Sequence, residues 1–146
     1  MNDFKTFLNI EKIINFLPHR FLFLLIDQVV KYKKFFLYAL KFVSINDFFL
    51  GHFPKKFVFP GVLIIESIAQ ASGLLSIFSK GQLINKELIY LVSIQNAFFK
   101  KQVYPGNKMI IKVFYKKKIN NFEEFDGIVL VDNTLICKAT LLLSRF

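Results

Sequence analysis

Residues 46–79, NDFFLGHFPKKFVFPGVLIIESIAQASGLLSIFS, decide the fold. From Val62 to Phe78 the side chains are apolar or small nearly all round a helical wheel. That pattern belongs to a helix buried on most faces, not to a surface helix with one apolar stripe. Pro60 and Gly61 open the helix, and Glu66 is the single acid that interrupts it. An ionised carboxylate among such neighbours is costly unless it is paired, hydrogen-bonded or set in a cavity. Glu66, Gln70 and Gly73 are spaced by four and then three, so they share one face, and one stripe of an otherwise apolar helix is polar. Just before the helix, in a turn-rich segment, stands His52.

Working outward, a chain of 146 residues makes one domain with a single core over residues 1–146. A hydrophobic content of 54% with 17% aromatic raises the question of a membrane. The charge-free runs Phe57–Ile65 and Ser67–Ser79 are separated by Glu66, and neither reaches the roughly 20 apolar residues of a spanning helix. The opening residues, MNDFKTFLNIEK, mix acids with bases and do not read as an export signal. Cys137 is the sole cysteine, which excludes an intrachain disulfide and suits a reducing cytoplasm. Its apolar surroundings, TLICKATLLL, predict a buried structural thiol. The net charge of +10 invites a nucleic-acid reading. Against it, Arg20 and Arg145 are the only arginines, and base-edge recognition leans on guanidinium forks. A basic face for an acidic protein partner remains open.

Along the chain, the apolar positions of residues 4–17 follow helical spacing up to Pro18 and predict an N-terminal helix. Residues 19–44 hold two aromatic and β-branched stretches around a Lys31–Lys34 cluster, which predicts two strands joined by a basic turn. His19 follows Pro18 at the end of the first helix, a position for capping carbonyls, though a catalytic role is also open. After the central helix, residues 80–87 read as a polar connector and residues 88–104 as a long strand. Pro105 and Gly106 signal a type II turn. Residues 108–118, 122–132 and 134–146 read as three hairpin-linked strands, with Asn120–Asn121 and Asp132–Asn133 as their turns. The economical packing is α+β: one long helix wrapped by a curled antiparallel sheet of five to six strands.

Two histidines and one distant cysteine give no familiar metal-ligand spacing, so no metal is expected. Phosphate loops and a GxSxG elbow are absent from the sequence. His52, Glu66 and the helix start between them remain. A neutral imidazole can take a proton at working pH, and a carboxyl in an apolar helix can hold one. The first N–H groups of the helix can bond a carbonyl on which charge develops. A base, an acid and an oxyanion donor are what elimination of water beside a thioester carbonyl requires. The same residues also fit a packed histidine and a structural acid.

The segment GHFPKKFVFPGVLIIESIAQASG resembles the signature of the bacterial 3-hydroxyacyl-acyl-carrier-protein dehydratases of the FabZ type, which have the hot-dog fold. The stretches IEKIINFLPHRFLFLLIDQV, SIQNAFFKKQVYPGNKMII and FDGIVLVDNTLICKATLL resemble the same family in the same order. The resemblance implies that His52 and Glu66 are the catalytic pair. It implies further that Gly61 N–H polarises the thioester, that the Val58 carbonyl orients the imidazole, and that Gln70 lines the site. No cofactor is implied. Family members form dimers in which the histidine of one chain faces the glutamate of the other, and three dimers commonly make a hexamer. Sister enzymes that also isomerise the double bond carry aspartate where Glu66 stands, so dehydration without isomerisation is expected.

The chain departs from the family's pattern at Lys55, where glycine is common, and at Leu22 and Phe57, where proline is common. A glycine with positive φ at position 55 would make Lys55 a point of strain. The partner implied is an acidic acyl carrier protein, and Lys55, Lys56, Lys100 and Lys101 are the lysines expected to steer it. The rival readings are a hot-dog thioesterase and a non-catalytic module that binds acyl carriers.

Overall fold

A computed structural model describes residues 4–47, 49, 51–80 and 88–146. The elements are β1 (Lys5–Leu8), α1 (Ile10–Ile13), β2 (Gln28–Lys33), β3 (Phe36–Phe42), α2 (Gly61–Lys80), β4 (Ile89–Phe99), β5 (Lys108–Ile119), β6 (Phe122–Val131) and β7 (Thr134–Arg145). The strands form one antiparallel sheet in the order β1-β2-β3-β5-β6-β7-β4.

The helix α2 lies on one face of this sheet, against β5, β3, β6 and β7. Period-two alternation supplies the face beneath it: Leu37 and Ala39, then Met109, Ile111 and Val113, then Phe125 and Val129, then Cys137, Ala139, Leu141 and Leu143, all buried. From the helix, Leu63, Ile64, Ile68, Leu74 and Leu75 close the core. Each such side chain contributes about 1.5–3 kcal/mol when withdrawn from water. The expectation of an α2 buried on most faces is met: Leu63, Ile64, Ile65 and all of 67–77 are buried. This 20-residue helix is long and apolar enough to cross a membrane, but 78% of its apolar window is buried within the protein. Where α2 crosses β6, a Cβ on Gly127 would stand 2.1 Å from Ile68 Cγ2, so only glycine permits the close approach of helix to strand.

Polar groups fix the far end of α2. Ser76 Oγ bonds the buried Glu123 carboxylate, Lys80 pairs with the same carboxylate, and Arg145 Nη2 donates to Ser76 O at 3.0 Å and to Ser76 Oγ at 2.9 Å. The helix cannot slide along β6 and β7 without breaking this set. Burial pushes the Cys137 thiol up to about 11, as befits an inert packing residue.

The turns follow their residues. Tyr104–Asn107 is a type II turn with Gly106 at φ 92° and Asn107 N–H bonded to Tyr104 O at 3.1 Å. Asp132 and Asn133 both take positive φ, 48° and 60°, in the two-residue β6–β7 link.

Several sequence expectations are corrected. Residues 4–17 are not one helix: β1 pairs with β2, with Lys5 opposite Tyr32 and Leu8 opposite Val29, and only Ile10–Ile13 are α-helical behind the Asn9 cap. Their apolar spacing fits either state, and the open edge of β2 supplies hydrogen bonds that a short isolated helix lacks. The sheet therefore has seven strands, not five to six. The tight basic turn is found as expected, with Lys33 opposite Phe36, while Lys31 lies within β2. β4 stops at Phe99, after which Phe59 N–H takes Val103 O at 2.7 Å and draws the chain toward the start of α2. Lys80 belongs to α2, and the rest of the expected connector, residues 81–87, lies outside the described residues.

Candidate active site

Two clusters of polar groups flank the first half of α2. The first is the loop before the helix, where the chain folds back on His52. His52 N–H bonds Phe49 O at 3.0 Å, Val58 N–H bonds His52 O at 3.0 Å, and Phe53 and Lys56 exchange bonds at 2.9 and 3.1 Å. His52 Nδ1 lies 2.7 Å from Val58 O. A carbonyl oxygen can only accept, so Nδ1 carries the hydrogen and Nε2 presents its lone pair, the form of imidazole that takes a proton. Phe49 and Phe59 are buried beneath the loop, and Phe57, itself exposed, packs edge-on against Phe49 at 6.1 Å. Lys55 does not adopt a positive φ, and the strain expected there does not arise. Leu22 lies in an exposed turn.

The loop is tied to the sheet by buried ions. Lys41, 5% exposed, pairs with Asp47 at 2.9 Å and with Asp27 at 3.8 Å. Asp47 Oδ2 also accepts Ser44 N–H at 2.6 Å, and Asp27 Oδ2 accepts Phe42 N–H at 2.7 Å. Burial raises the Asp27 carboxyl above the ordinary carboxylate value, against the pull of these partners.

Gly61 begins α2. Leu63 and Ile64 N–H both bond Pro60 O, at 3.0 and 3.2 Å, whereas the N–H of Gly61 has no acceptor among the described residues. A Cβ on Gly61 would meet the Phe99 ring at 2.9 Å, so the end of β4 lies against the helix start.

The second cluster surrounds Glu66. Gln70 Nε2 donates to Glu66 Oε1 at 3.1 Å and to Phe23 O at 2.7 Å, while Gln70 Oε1 accepts Leu25 N–H at 2.8 Å. A backbone N–H and a backbone carbonyl thus fix which end of the Gln70 amide is nitrogen. His19 Nε2 stands 3.4 Å from the same oxygen of Glu66, and the Glu66 side chain keeps 20% of its surface exposed. The acid is therefore held among polar groups, not abandoned in the core. A cleft with about 440 Å³ of empty space, counted to its open mouth, follows the Glu66–Gln70–Gly73–Ile77 stripe and is walled by Phe16, Leu17, Ile89, Leu91 and Leu143. At 1.5 Å per residue that stripe runs about 16 Å along the helix.

Glu66 and Gln70 are together, as the helical spacing requires, and His52 and Val58 are together. His52 does not line the cleft that holds Glu66. Lys55, Lys56, Lys100 and Lys101 are all exposed. His19, read from the sequence as a cap for helix carbonyls with a catalytic role left open, faces Glu66 and does not cap. Arg20 does that instead, donating to Leu17 O and His19 O at 2.8 Å and to Ile14 O at 3.2 Å. Nothing local in the sequence signals that His19 meets a helix residue far along the chain.

A family model for the FabA-like domain matches residues 17–140. The chain belongs to the FabA-like family, among the FabZ dehydratases. It is 47% identical over 140 residues to the 3-hydroxyacyl-acyl-carrier-protein dehydratase FabZ of Escherichia coli and to that of Shigella boydii, covering 94% of this chain and 93% of each relative. Among solved structures, the dehydratase heterocomplex ApeI:P of Xenorhabdus doucetiae superposes with a TM-score of 0.78 at 19% identity, over 92% of this chain and 90% of that one. A hypothetical thioesterase of Streptococcus pneumoniae with coenzyme A superposes with a TM-score of 0.62 at 14% identity, over 81% of this chain and 84% of that one. At such identities the structures speak for the fold alone, and the expected hot-dog architecture is the one observed. The helix α2 carries both Gly61, at its start, and Glu66.

Proposed function

We propose that this chain removes water from 3-hydroxyacyl thioesters on acyl carrier protein, giving trans-2-enoyl thioesters in the cytoplasmic fatty-acid elongation cycle without moving the double bond. The observation that carries the reading is 47% identity over 140 residues to dehydratases of that name. The chemistry is compatible with the geometry. Nε2 of His52 removes a proton from C2, the thioester carbonyl takes up the charge against Gly61 N–H, and Glu66 protonates the C3 hydroxyl as the C–O bond breaks. Water leaves, and the proton on His52 returns to Glu66 before the next turnover. Glutamate at 66, where the isomerising sister enzymes carry aspartate, supports dehydration alone.

The site is composite: His52 of one chain works with Glu66 of a second copy, in a homodimer that can assemble as three pairs. β4 supports this arrangement. Among the described residues it is an edge strand, bonded to β7 alone, and it exposes Tyr90, Val92, Ile94, Phe98 and Phe99. A long apolar edge is a template for pairing with another chain. The test of the reaction is an assay on purified 3-hydroxyacyl carriers of several lengths. Enoyl carrier is the expected product, whereas free fatty acid would establish a thioesterase, and binding without turnover a carrier-binding module.

The exposed lysines gain a role in the same proposal. Lys55 and Lys56 sit in the His52 loop, and Lys100 and Lys101 follow Phe99, whose ring touches Gly61. Both pairs flank the helix start, where an acidic carrier would dock to deliver its thioester. Replacing all four by glutamate is expected to raise KM for carrier-linked substrate by roughly tenfold at low salt. The KM for the same acyl group on a pantetheine fragment should stay constant. Equal carrier KM values for the two proteins would remove the lysines from the docking surface.

A further inference from the structure

We infer that His19 is a positioning residue for Glu66: together with Gln70 it engages Oε1, leaving Oε2 as the oxygen that exchanges a proton with the substrate. This rests on the reading of Glu66 as the acid. The Gln70 amide is oriented by Leu25 N–H and Phe23 O and so can only donate to Oε1. An oxygen that already accepts one N–H and faces His19 Nε2 at 3.4 Å is a poor place for the acid's own hydrogen. That hydrogen resides on Oε2, the atom without these neighbours. The present His19 contact is longer than a good hydrogen bond, and contacts of this kind shorten when substrate closes the site.

His19 is held for this task. Arg20 bonds three carbonyls around it, at Ile14, Leu17 and His19 itself, and the Phe23 ring stacks on the imidazole at 6.3 Å and 15°. The same Phe23 supplies the carbonyl that orients Gln70. His19 Nδ1 is buried and has no hydrogen-bond partner among the described residues, so the ring has no polar anchor competing with Glu66. One turn of chain, residues 19–25, thus sets both groups that grip Oε1.

The experiment uses the full-length protein and the dehydration assay with His19→Ala, His19→Asn and His19→Gln, each also built into Glu66→Gln. Loss of positioning lowers kcat by roughly 30-fold for alanine, with KM within about twofold, because the carboxyl swings between orientations instead of holding one. Glutamine places an amide nitrogen near the former Nε2 and recovers to within about fivefold of wild type, while asparagine, too short to reach, behaves like alanine. In the Glu66→Gln background none of the three changes lowers the remaining rate further. The inference is overturned if His19→Ala keeps wild-type kcat, if glutamine and asparagine are equally impaired, or if the losses persist in full without Glu66. If the alanine protein does not fold, the comparison of glutamine with asparagine decides. An active Glu66→Gln enzyme is a different outcome: it removes the acid itself, and with it the parent reading.

Discussion

His52→Ala and Glu66→Gln each lower kcat/KM for a 3-hydroxyacyl carrier by roughly a thousandfold, about 4 kcal/mol of transition-state stabilisation. The size follows from what is removed. The 2.7 Å bond from Nδ1 to Val58 O fixes the imidazole in its proton-accepting form, and alanine leaves water as the only base. Glutamine at 66 keeps the volume and can still accept from Gln70, but it has no proton to give to a departing hydroxyl. The melting temperatures of both proteins should remain near wild type, since His52 is only partly buried and glutamine fits the Glu66 pocket. Steady-state rates on one carrier substrate, with melting curves alongside, make the check. A loss below tenfold for either protein would exclude that residue from the proton transfers.

Mixing the two inactive proteins restores activity. In the proposed composite site, His52 of one copy works with Glu66 of the other, so activity needs groups from both. When the variants are dissociated together and reassembled in equal amounts, half the pairs are mixed. Each mixed pair contains one site with an intact His52 facing an intact Glu66. About a quarter of all sites, and hence about a quarter of wild-type activity, returns from a background near zero. Rates measured before and after exchange, at matched total protein, read this directly. If activity stays at background although mass measurements find mixed pairs, the site is built within one chain. The dimer geometry proposed above would then be wrong.

The residues that could be read without coordinates are those whose chemistry depends on near neighbours in the chain. Glu66, Gln70 and Gly73 share a helix face because helical spacing demands it, and the apolar wheel around them already required enclosure by a sheet. Gly106 and the Asp132–Asn133 link took the backbone angles that their side chains favour. The His52–Val58 bond spans a short loop and was implied by the family resemblance.

Other features depended on contacts between distant segments. Residues 4–17 carry spacing compatible with helix or strand, and the free edge of β2 chose strand for Lys5–Leu8. His19 meets Glu66 only because the sheet folds the N-terminal segment over α2, and Arg20 meanwhile takes the carbonyls expected of His19. Periodicity in the sequence determined that one acid would sit on a buried helix. Packing across the chain alone decided which groups surround that acid, since the energy of a contact depends on distance in space and not on separation along the chain.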